Sequence, residues 1–151
     1  MLDEICAEIK NYFWRSADDI FIGDFTISDG VISPSFDFDD CDYIRIVKSK
    51  KNDGVHKVSE MQLADESFHG AIWRMYPPMN FLTLVQEIST WQTTNGAADS
   101  VAMSPFSSET LGAYSYSKGG IARGNNQNAT PNVTWKDVYA TRLNRFRRVR
   151  I

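Results

Sequence analysis

Two histidines (His56, His69), two cysteines (Cys6, Cys41) and the carboxylates Asp37, Asp39, Asp40 and Asp42 are the side chains that could carry a reaction or hold an ion. Their spacing offers little support for either. A structural zinc site needs four ligands at motif spacing; the histidines stand thirteen residues apart and no CxxC is present. An EF-hand loop opening at Asp37 would have Gly at its sixth place and Glu at its twelfth, where Asp42 and Lys48 stand instead. The four aspartates therefore read as an exposed acidic loop. GxSxG, P-loop and HExxH patterns are absent, and Gly119-Gly120 and Gly124 lack the spacing and preceding strand of a dinucleotide loop. The histidines are expected to be hydrogen-bonded or exposed, and the cysteines to be small buried apolar residues. The expectation is a protein that is not an enzyme and uses no cofactor and no metal.

Charge is more telling. The net charge of −3 hides an asymmetry: residues 1–66 hold fifteen acidic and seven basic side chains, and residues 67–151 hold four and nine. Five of those nine are Arg142, Arg145, Arg147, Arg148 and Arg150. Such a tail suits docking on an acidic protein surface or nucleic acid, or a solvated helix end whose cations complement the helix dipole. A sequence pI near 5.3 is far from the basic range of nucleic-acid-binding domains.

These groups need elements to position them. The chain has 151 residues, 42% hydrophobic and 13% aromatic, enough for a packed core. No apolar run approaches the roughly 18 residues of a membrane span. The opening MLDEICAEIK lacks the basic start and apolar block of a secretory signal, so the chain is expected to stay in the cytoplasm that makes it. Leu2, Ile5, Ile9, Tyr12 and Phe13 predict a helix over 2–15. Period-two patterning, Asp29-Gly30 and Asn52-Asp53-Gly54 predict two hairpins within 20–58, a small antiparallel sheet or half-barrel. Phe68, Ala71, Ile72 and Met75 predict a helix over 65–75, weakened by Gly70 and stopped by Pro77-Pro78. Phe81, Leu84, Val85, Ile88 and Trp91 predict another over 79–93. Residues 97–133 read as a long loop. Thr134 and Asp137 form a capping box opening a helix over about 134–149. The expected fold is α+β: a helical core of about four helices carrying a small β-hairpin insertion at 20–58, in a single domain.

The segment SPFSSETLGAYSYSK (104–118) has a further feature. Ser108, Glu109, Leu111, Gly112, Tyr114 and Ser115 resemble the SE-(aliphatic)-G-x-(Y/F)-S loop of tailed-phage head-tail connector proteins, also called adaptor or head-completion proteins. A preceding helix and a basic-aromatic end, LNRFRRVRI (143–151), fit the same order, as do YIRIVKSKKNDGVHKV (43–58) and DESFHGAIW (65–73). The likeness covers about two-thirds of the chain, on a pattern with no residue of unique chemistry. The family plan is nearly all helical, and the hairpin region departs from it.

The resemblance implies a structural subunit of the phage neck, found in the virion and assembled in the bacterial cytoplasm. It would form a homo-oligomeric ring of about a dozen copies, joining portal to tail and lining the DNA channel. Its partners would be the portal protein, a downstream neck or tail-completion protein, and genomic DNA passing without sequence-specific binding, with no membrane involved. Glu109, Leu111, Tyr114 and Tyr116, with Arg145, Phe146, Arg147, Arg148, Val149, Arg150 and Ile151, would contact the portal or a neighbouring subunit. Asp37, Asp39, Asp40 and Asp42 would face the channel or the outer surface. The alternative is a small nucleic-acid-binding or other phage-encoded accessory protein.

Overall fold

From Ile20 to Ile27 apolar residues alternate with polar ones, and Asp29-Gly30 reverses the chain. In the computed structural model, which describes residues 1–96, 108–111, 114–117 and 133–148, both residues of that turn have positive φ, 51° and 77°. This is the geometry of a tight two-residue hairpin. It joins β1 (Ile20–Ser28) to β2 (Val31–Ser33). A second hairpin joins β3 (Tyr43–Val47) to β4 (Gly54–Lys57). The first hairpin forms on its expected turn; the second forms too, but its connection is the longer loop 48–53, and Gly54, expected in the turn, already pairs with Ile46 in β4.

What unites them is not a helix. Residues expected to be helical over 65–75 form β5 (Glu66–Met75), the central strand of a five-stranded antiparallel sheet ordered β2-β1-β5-β3-β4. The strands curl into a half-barrel. The expected helical core of about four helices is thus corrected: three helices occur among the described residues. Region 20–58 is not an insertion but most of the sheet. The physical reason lies in β5. Towards its end β5 buries residues at both parities, Ile72 on one face and Met75 on the other, and Phe68, Ala71, Ile72 and Met75 then imitate a helical stripe. Gly70, a weakness in a helix, is required here. A Cβ built on it would lie 2.2 Å from the Val47 carbonyl oxygen of β3.

On one face, Phe25, Ile27, Ile32, Ile44, Ile46 and Ile72 form the core with Cys41 and Leu63 from the connecting loops. Phe21, Phe36, Phe38 and Phe68 pack around it. On the other, Trp73 stacks edge-on with Tyr12 at 5.3 Å, and Arg45 pairs with Asp3 of α1 (Leu2–Ile9) at 3.3 Å. Ile5 and Ile9 are fully buried. The expected helix over 2–15 stops at Ile9 because Lys10 turns left-handed, φ 55°. The N–H groups of Lys10 and Asn11 then close on the Ala7 and Cys6 carbonyls in a Schellman-type cap.

β5 also holds the sheet's turns at its two ends. The Glu66 carboxylate accepts from Ser49 Oγ at 2.5 Å and from the backbone N–H groups of Lys50 and Lys51 at 2.8 and 3.1 Å. These contacts hold the lysine-rich β3–β4 turn and lower the Glu66 pKa below its ordinary value.

The chain groups into two compact units, one holding Met1–Leu82 with the segment from Phe146, the other Thr83–Arg145. Helix α2 (Met79–Asn95) forms where 79–93 was expected. In the second unit Leu84, Ile88, Trp135 and Leu143 are buried, and Arg142 makes a two-armed pair with Glu87. Helix α3 (Trp135–Asn144) opens on the expected capping box, with Thr134 N–H and Oγ1 donating to Asp137 at 2.9 and 2.7 Å, but it ends at Asn144, before the expected 149. Within the expected loop, β6 (Ser108–Leu111) and β7 (Tyr114–Ser117) form a separate two-stranded sheet; the rest of 97–133, apart from residue 133, lies outside the described residues.

Two substitutions check this backbone. Gly70→Ala is expected to destabilise by about 1–3 kcal/mol, because strand and neighbour must separate to admit a methyl group. Exposed Lys10→Gly should stabilise by about 0.5–1 kcal/mol, left-handed relief outweighing the added chain entropy. Denaturant melts of both variants measure the two signs.

Candidate partner-binding surfaces

The first residues of the basic segment after α3 lie on the chain's own N-terminal region. The Schellman-type cap satisfies the Cys6 and Ala7 carbonyls but leaves those of Glu8 and Ile9 open, as the last turn of any helix does. Arg147 Nη1 donates to the Glu8 carbonyl at 3.0 Å, and the Arg148 N–H donates to the Ile9 carbonyl at 3.2 Å. Arg147 also stands 3.6 Å from the Glu8 carboxylate, at the negative end of the α1 dipole. The Arg148 guanidinium lies 3.5 Å from the centre of the Trp14 ring. Phe146 packs against Phe13 and Phe81, with ring centroids at 6.5 and 5.2 Å.

Asn11 organises this groove. Its Oδ1 accepts from the Phe13 N–H at 2.9 Å, stabilising the turn in which Phe13 takes φ 53°. Its Nδ2 donates to the Phe146 carbonyl at 2.9 Å. The Phe13 carbonyl accepts from the Tyr76 N–H at 3.0 Å, tying the turn to the end of β5. Sequence reasoning missed Glu8, Asn11, Phe13, Trp14 and Phe81 as binding residues. The available signal was an Asn-Tyr-Phe-Trp run immediately after an amphipathic helix.

The other expected contact residues are placed as follows. Arg145 caps α3 and is exposed; Val149, Arg150 and Ile151 lie outside the described residues. Glu109 pairs with Tyr116, and Leu111 with Tyr114, in the β6–β7 register. Asp37, Asp39, Asp40 and Asp42 are exposed between β2 and β3, with Asp37 accepting from the Asp39 N–H at 2.9 Å. No group of three or more potential ligands among the described residues is arranged to hold a metal ion.

Burial pushes both thiols up, Cys6 to about 12, so neither supplies a thiolate nucleophile at neutral pH. His56 donates to the Asn52 carbonyl at 2.8 Å. His69 pairs with Asp24 at 2.9 Å, and Thr26 pairs with Ser67 one position along the same face. The His69 and Asp24 side chains are 68% and 90% exposed. In that open setting water screens the pair, which makes it a cross-strand contact.

Among the described residues one charged group is buried. Asp19, 4% exposed, accepts from the Arg15 and Ser16 N–H groups at 2.9 and 3.0 Å, and pairs with Arg74 at 3.1 Å. Tyr76 Oη donates to it at 3.3 Å. Burial alone would raise its pKa, but these donors and the Arg74 charge outweigh that and hold it below its usual value.

No protein-family model matches the chain, and no curated protein and no solved structure matches it.

The Asp19 cluster generates a signed expectation. A carboxylate whose pKa is lower folded than unfolded contributes stability above its unfolded value of about 3.9, and loses it as pH falls through the folded value. Asp19→Asn should therefore cost about 1.5–3 kcal/mol at pH 7. The gap to the parent should narrow below pH of about 4. Urea melts across pH measure it, and a gap that widens in acid contradicts the assignment.

Proposed function

We propose that the chain is a structural subunit of a tailed-phage neck, forming a ring that joins the portal to the tail around the DNA channel. The observation that carries this reading is segment 104–118, which bears the resemblance to the connector loop and contains the β6–β7 hairpin. Tyrosine gives large contact area at low entropy cost, which suits Tyr114 and Tyr116 to an assembly contact.

Electrostatics fit the same reading. Asp37, Asp39, Asp40 and Asp42 project into solvent from one loop. A negative wall does not grip the phosphate backbone of passing DNA. Arg142, Arg147 and Arg148 are engaged within the chain by Glu87, Glu8 and Trp14, which leaves less of the basic tail for holding nucleic acid. The sheet-rich first unit differs from the helical family plan. The proposal therefore rests on assembly through loops and edges, with no enzymatic step, cofactor or membrane.

Negative-stain microscopy of the purified chain, alone and mixed with a portal, tests it. Closed rings, or density added to the tail-side end of the portal, are expected, with little retention on DNA at physiological salt. A chain that stays monomeric, leaves the portal bare and binds DNA tightly would overturn the reading.

A further inference from the structure

The groove formed by residues 8–14 and Phe81 has the chemistry of a peptide site. It offers the last-turn carbonyls of Glu8 and Ile9, the Glu8 carboxylate, the Asn11 amide donor, the Trp14 face and an aromatic seat made by the touching rings of Phe13 and Phe81. Each meets one feature of an aromatic-Arg-Arg sequence. The ring of Phe146 packs beside that seat, and Asn11 takes the Phe146 carbonyl. The Glu8 carbonyl and carboxylate take the first guanidinium, the Ile9 carbonyl takes the third residue's N–H, and Trp14 takes the second guanidinium.

We infer that this groove is a docking site for a Phe-Arg-Arg segment, filled here by residues 146–148 of the same chain and exchangeable for the same segment of a second copy. Three observations carry the exchange. The contacts join residues up to 139 apart in sequence, so the covalent path between them is long. None of the sheet's strand pairings uses 146–148, so the segment can leave without breaking a ladder. Phe146 groups with the first unit, whereas Trp135–Asn144, the helix that leads to it, lies wholly in the second. The Arg147–Glu8 pair is partly exposed, with side chains 39% and 32% accessible, so that contact is weak and reversible. Swapping an identical element between copies replaces each contact by its equal and creates an interface at low cost.

The groove stands on its own geometry; only the place of the second copy in a neck ring rests on the proposed function. The test mixes two full-length variants. Phe146→Ala keeps the groove and loses the peg. Asn11→Ala with Trp14→Ala keeps the peg and impairs the groove. Each alone should sediment as a monomer, and an equimolar mixture of the two folded chains should give a one-to-one heterodimer. A mixture that stays monomeric overturns the inference. Fluorescein-labelled LNRFRRVRI titrated onto the Phe146→Ala chain, its fold checked by circular dichroism, reads a groove that the chain's own peg no longer fills. Saturable binding, weakened at least tenfold when the peptide carries Phe146→Ala, supports the groove, and no saturable binding overturns it. A heterodimer with no portal attachment would instead count against the neck-ring reading and leave the groove intact.

Discussion

Strand β5 pairs with β1 along one edge and with β3 along the other. Between Gly70 and Val47 that pairing leaves no room for a side chain. The rest of the first unit depends on this strand. At its start, Glu66 holds the β3–β4 turn; at its end, Arg74 and Tyr76 hold Asp19 and the chain leading into β1. The Tyr76 N–H then fixes the turn that carries Asn11, Phe13 and Trp14. A groove fifteen residues or fewer from the start of the chain is thus positioned by a strand more than fifty residues later.

Where short-range rules decide structure, the sequence was readable. Asp29-Gly30 specified its hairpin through positive φ, Thr134 and Asp137 specified a helix start, and the stripe from Phe81 to Ile88 specified α2. Where burial on both sides decides it, the pattern misled. Phe68, Ala71, Ile72 and Met75 satisfy a helical spacing only because one set faces the Phe25–Ile46 core and the other faces the side covered by α1. Tyr12 and Phe13 continued the α1 stripe convincingly, yet Lys10 ended the helix, and both rings serve the turn that follows. The seat of Phe146 was not legible, because Asn11 and Phe146 meet only in the folded chain.

Both thiols are held protonated by burial, and the exposed His69–Asp24 pair sits in open water. The acidic first half and basic second half of the sequence make part of their match internally, through Arg147 with Glu8 and Arg74 with Asp19. Charge asymmetry that looked like a signal for an external partner is thus partly consumed in folding. The exposed aspartates of the β2–β3 loop remain outside that match and give one surface a strong negative character.

The central claim is that residues 66–75 form the middle strand of the sheet. Backbone NOEs on uniformly labelled full-length protein test it directly. The structure predicts cross-strand contacts from 66–75 to both 20–27 and 43–47, including Ile22 with Ala71 and Arg45 with Trp73. A continuous helical pattern of sequential amide contacts through 65–75, with no contact to either neighbouring strand, would contradict it.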